Sequence, residues 1–143
     1  MRGRDEGQIL LLTIGLAAVV LALVFVVVSV SALHLERLRL QAAADAAAHD
    51  AATALDEAAY YATGTATVHL TDAGVRQAAS DYLRAYGPSL GVGAARLSEP
   101  TGSPDGRTAR VTLTMRADVI LIPALLTVPE AIDLTATAAA RAG

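Results

Sequence analysis

Hydrophobic and polar positions divide this chain unevenly. From Ile9 to Leu33 no charged residue occurs, and Leu, Ile, Val and Ala fill nearly every place. As a helix these residues rise about 37 Å, enough to cross a hydrocarbon core about 30 Å thick with some tilt. The run predicts a single membrane anchor. A secretory signal would have a shorter apolar stretch before its cleavage site; Arg2, Arg4 and Val30-Ser31-Ala32 supply suitable ends, but 25 residues are too many. A buried helix of a soluble domain would need a larger surrounding core than the rest of the chain provides.

Past the anchor the helical pattern continues. Leu35, Leu38, Ala42, Asp45/Ala46, His49, Ala52 and Leu55 follow helical spacing, and no Gly or Pro interrupts the chain until Gly64. One helix is expected from about Gly7 to Tyr61, a rod of about 80 Å whose Ala-rich distal half suits close packing. Within the anchor, Gly15, Ala18, Ala22 and Ser29 share one face, with Phe25 inserted, and form a candidate helix-packing stripe.

The remainder alternates differently. Thr65–Leu70 reads as a short strand. Thr71 is a suitable N-cap for a helix carrying Val75, Ala78/Ala79, Tyr82 and Tyr86 on one face and ending at Gly87-Pro88. A weak strand is expected around Ala94–Ser98, followed by a loop over Pro100–Gly106. In Thr108–Asp118, Ala109, Val111, Leu113, Met115 and Ala117 alternate with polar residues, the pattern of a half-buried antiparallel strand. Ile132–Ala138 alternates again and is expected to return beside it. Between them, Val119–Val128 is apolar but too short and Pro-broken to span; it either covers the end of the sheet or meets a membrane surface or partner.

The fold class is therefore α+β: a long N-terminal transmembrane helix continuing as an Ala-rich helix, then a small antiparallel sheet with one short helix. The expected organisation is a short N-terminal segment (1–8), the transmembrane helix (9–33), an Ala-rich stalk (34–62) and an α+β head (63–143).

Composition narrows the chemistry. The 143 residues include no Cys, which removes disulfides, thiolate nucleophiles and Cys-based metal sites. The formal charge is −3 and all 11 basic residues are Arg, a balance that argues against nucleic-acid binding. Abundant Ala and the lack of Lys suggest a GC-rich bacterial genome. Asp45 and His49 stand one turn apart with Asp50 adjacent, but no further ligand converges in the sequence, so neither a metal nor another cofactor is expected. No nucleophile elbow, phosphate-binding Gly loop, HExxH or paired-carboxylate arrangement is present, so no enzyme and no small-molecule substrate are expected. Arg2 and Arg4 before the anchor balance Arg37 and Arg39 after it, so charge does not set orientation.

Taken in order, the charged start Asp5-Glu6-Gly7-Gln8, the anchor, the run Leu38–Ala48 with Gln41, Ala43, Asp45, Ala46 and Ala47, the Val-x-Leu-x-Met strand, the apolar Pro-containing loop and the Thr-Ala-Thr-Ala strand resemble the TadE/TadG-like pilus-assembly family. The resemblance implies a pilin-like shape and a non-enzymatic role in assembling or priming a tight-adherence pilus or related envelope secretion apparatus. It further implies residence in the bacterial cytoplasmic membrane with the head outside. Membrane lipid, other single-pass subunits and further copies of the chain are the partners implied. Prepilin-like processing would cut between Gly7 and Gln8, but the Glu expected five residues into the mature chain is replaced by Leu12; cutting after Gly3 would put Gln8 there instead. That departure favours a membrane-resident assembly factor over a polymerising subunit. The alternative is a membrane-tethered external binding module for a wall polymer or protein.

Overall fold

A computed structural model describes residues 3–63, 69–118 and 131–142, with side chains described at 7–54, 61, 69–117 and 131–142. The elements are α1 (Gly3–Thr63), α2 (Asp72–Tyr86), β1 (Arg96–Gly102), β2 (Thr108–Asp118) and β3 (Ala131–Arg141). The three strands form one antiparallel sheet in the order β1-β2-β3, and both helices pack on it. This is the expected α+β architecture.

α1 is continuous over 61 residues, about 90 Å at the helical rise. Its two halves live in different surroundings. From Ile9 to Val30 the large side chains are exposed, whereas Leu40, Ala43, Ala44, Ala47, Ala48, Ala51 and Ala52 are buried. These positions recur at three and four residues, one stripe of a helix, and their methyl groups let the sheet approach closely.

The buried stripe is not the one its spacing suggested. Leu35 and Leu38 are exposed, as are Ala42, Asp45 and His49; of the expected face, Ala52 alone is fully buried among the described residues and Ala46 partly so. The larger side chains at 35 and 38 drew the expectation, but the sheet selects the small face, where alanines permit contact.

α2 begins at Thr71, whose hydroxyl accepts the Gly74 N–H at 3.1 Å, as the cap chemistry requires. Val75 and Ala79 are buried and Tyr82 is partly so; the ring of Tyr86 lies outside, 5.0 Å from that of Tyr82. The helix stops at Gly87, whose N–H is bonded to the Leu83 carbonyl.

β2 buries Ala109, Val111, Leu113, Met115 and Ala117, so its alternation carries through to packing. β3 pairs with it along its whole length, with Val111 opposite Ala138 and Leu113 opposite Ala136. β1 runs further than expected, through Pro100 and Thr101 to Gly102, where a loop was expected. Its register with β2 shifts between Ser98 and Gly102, and this irregularity on an edge strand accommodates a proline that has no N–H to give. Of the expected strand over 65–70, residues 65–68 lie outside the described residues, and His69 and Leu70 are irregular. The apolar connection over 119–130 also lies outside them.

Candidate membrane anchor and assembly surface

The apolar half of α1 is long and apolar enough to cross a membrane, with a mean hydropathy of 3.1 over its most apolar 18 residues. None of that window is buried within the chain. Its few polar side chains are satisfied internally: Thr13, Ser29 and Ser31 each donate a hydroxyl hydrogen bond, at 2.8 Å, to the carbonyl four residues earlier. Such back-bonding hides polar hydrogens where no water competes.

Gly15, Ala18, Ala22 and Ser29 stand on one side of this exposed segment, and a Cβ placed on Gly15 would meet nothing within 4 Å. The stripe has a definite relation to the head. Eighteen residues make about five helical turns, so Ala22 projects in the same direction as Leu40, Phe25 as Ala43, and Ser29 as Ala47. Leu40, Ala43 and Ala47 are buried against the sheet. The small stripe of the anchor therefore lies directly beneath the head, on the same side of the rod.

The segment Gln41–Ala47 divides between two tasks. Ala43 and Ala47 are buried, while Asp45 is exposed and Ala46 half-exposed. Gln41 reaches out of α1 to donate from Nε2 to the carbonyl of Thr137 on the edge strand β3, at 3.3 Å, and stands 3.4 Å from Asp45 Oδ1. A side chain read from its motif thus fixes helix to sheet edge. Gly7 and Gln8, the expected processing site, lie within α1, and both are exposed.

A second polar constellation had no sequence signature. On α2, Arg76 donates from Nε to the Thr101 carbonyl at 3.1 Å and from Nη2 to Glu99 Oε1 at 2.7 Å. Asp72 accepts the Ser103 N–H at 2.7 Å. Together they clamp the start of α2 to the irregular end of β1. Two clefts of ≈ 270 Å³ and ≈ 180 Å³ adjoin this cluster. Both fall below the range of about 300–1,000 Å³ usual for small-molecule sites. The arrangement is that of a structural clamp. No group of three or more His, Asp or Glu side chains converges among the described residues; Asp45 and His49 are both exposed on α1, and His69 stands beside Gly106.

The features so far define a class: an α+β protein whose first helix is long and apolar enough in its first half to cross a membrane and packs against the sheet of the head in its second. Comparison with protein families makes this more particular. Residues 7–54 match the family model described as Flp pilus-assembly TadE/G-like. The match covers roughly a third of the chain, taking in the apolar half of α1 and the alanines packed on the sheet, and it ends before α2. Comparison with curated proteins and with solved structures gave no match.

Proposed function

We propose that this chain is a non-enzymatic, single-pass subunit of the bacterial cytoplasmic membrane that helps assemble or prime a tight-adherence-type pilus or a related envelope secretion apparatus. Its head faces outward and its anchor associates with other single-pass subunits, including copies of itself. The observation that carries this reading is the pilus-assembly family match, which falls on the helical segment that presents an unburied small-residue stripe. Close approach along Gly15, Ala18, Ala22 and Ser29 supplies the van der Waals contact that holds helices together in lipid. The absence of Glu at Leu12 supports a subunit that stays in the membrane unprocessed at Gly7–Gln8; an intact mass starting at Met1 in the native membrane is expected, and one starting at Gln8 contradicts this part.

The packing role is tested by Ala18→Leu with Ala22→Leu in the full chain. Expected is unchanged membrane residence with loss of cross-linking to partner subunits and loss of pilus or secretion assembly. Undiminished cross-linking and assembly overturn it. A binding module acting through the head alone would behave in that second way.

A further inference from the structure

Leu33 occupies two places at once. It is the last residue of the uncharged run, and it is partly buried against the hydrophobic core of the head. No spacer separates membrane from head.

The end of the head facing the anchor follows from three contacts. A Cβ on Gly91 would lie 3.7 Å from Arg39 Nη1, so the turn after α2 touches α1 just beyond the anchor. The start of α2 is held instead to the β1–β2 hairpin, through Asp72 with Ser103 and the Leu70 N–H with the Gly106 carbonyl. The hairpin and the start of α2 thus mark the far end, while Tyr86, the 87–92 turn and the Asp118–Ala131 end of the sheet mark the near end. At this near end several of the described apolar side chains are exposed. Tyr86 and Leu90 are 54% and 41% exposed, Leu35 and Leu38 on the open side of α1 are 48% and 52% exposed, and Arg37 and Arg39 are exposed on the same turns of α1.

We propose that this surface is a lipid-contacting base: the head is seated on the bilayer crossed by its own anchor, with Leu90 and the Tyr86 ring in the interfacial layer and Arg37 and Arg39 against phospholipid phosphates. The occupant is fixed by connection and chemistry. The core of the head reaches the end of the anchor, so its base stands at the headgroup layer, about 5–8 Å thick on each side. Tyr with its amphipathic ring suits that depth, and Arg with a long apolar stem places its charge on anionic headgroups. In water the same four apolar side chains would be unfavourably exposed.

This inference rests on the anchor reading, and the test separates the two. The chain has no Cys, so each introduced thiol is unique. Full-length Leu90→Cys, Ala22→Cys and Ala73→Cys variants are labelled with bimane and reconstituted in phosphatidylethanolamine/phosphatidylglycerol liposomes containing lipids brominated along the acyl chain near the headgroup. Position 73 is exposed at the far end. Expected is several-fold stronger quenching at 90 than at 73, with the label at 22 shielded from an aqueous quencher. Equal, negligible quenching at 90 and 73 with 22 shielded overturns the seated base and leaves the anchor standing. A label at 22 open to the aqueous quencher overturns both.

Discussion

The backbone N–H of Thr112 donates to the hydroxyl oxygen of Thr101 at 3.0 Å, so a side chain takes over where the β1–β2 ladder loses register. The same hydroxyl donates to the Ser98 carbonyl at 2.6 Å, while Thr112 Oγ1 donates to the Pro100 carbonyl at 2.7 Å. Both threonines are buried. An irregular strand is thereby satisfied without a regular ladder, as buried backbone groups require.

Thr101→Val keeps the shape and removes the acceptor. It is expected to destabilise the head by about 1–3 kcal/mol, the cost of a buried donor left unmade. Thr101→Ser retains the oxygen and should recover most of that loss. Urea unfolding of both variants in detergent micelles, followed by tyrosine fluorescence, checks the pair; equal stability of Thr101→Val and the parent would contradict the bond's role.

Adjacent alanines on α1 should respond oppositely to enlargement. Ala43 is 1% exposed and faces the sheet, whereas Ala42 is exposed. Ala43→Leu overfills the contact and is expected to cost about 1–3 kcal/mol, with Ala42→Leu within about 0.5 kcal/mol of the parent. Thermal unfolding of the two variants decides which side of the helix is the packed one.

Asp105 closes the β1–β2 hairpin. Its Oδ1 accepts the N–H groups of Arg107 at 2.9 Å and Thr108 at 2.6 Å, and its Oδ2 accepts the Thr108 hydroxyl at 2.8 Å. These bonds, the Arg107 N–H foremost, favour the charged form and hold the carboxyl below its ordinary value of 3.8. The folded state therefore binds the proton less readily than the unfolded one. The resulting stabilisation is present above the ordinary value and fades as pH falls through the lowered one. The stability difference between the parent and Asp105→Asn should accordingly narrow on acidification below about pH 4. A difference that widens there would reverse the sign and refute the assignment.

Gly106 has φ +70, and a Cβ there would stand 2.6 Å from His69 Cε1. Gly106→Ala meets both a left-handed backbone and a ring, so a loss of about 1–2 kcal/mol is expected from the backbone alone. His69→Ala in the same chain removes the clash and should restore part of the loss, measurable as a partial recovery of the midpoint in urea.

How much was legible in the sequence depended on whether a residue type marked its side. β2 was readable because Val111, Leu113 and Met115 contrast with Arg110, Thr112 and Thr114, and α2 because Thr71 and Gly87 punctuate a clear apolar face. In the Ala-rich part of α1 the pattern loses contrast: alanine serves equally on a buried or an exposed face, so Leu35 and Leu38 pulled the expected stripe around to the open side. Pro100 misled for another reason. A proline ordinarily ends a strand, and nothing local announces that Thr101 and Arg76 will satisfy an irregular one. Gln41 could be singled out from its motif, but its partner carbonyl at Thr137 lies 96 positions away and only the fold joins them.

The continuity of α1 bears on force. The apolar segment and the segment against the sheet are one hydrogen-bonded rod with no Gly or Pro between Gly15 and Thr63. There is no slack to take up. A pull on the apolar half is delivered straight to the Leu40–Ala52 contact with the sheet, and a load on the head returns to the apolar half by the same route. Displacing the apolar half of this helix and straining the core of the head are a single mechanical event.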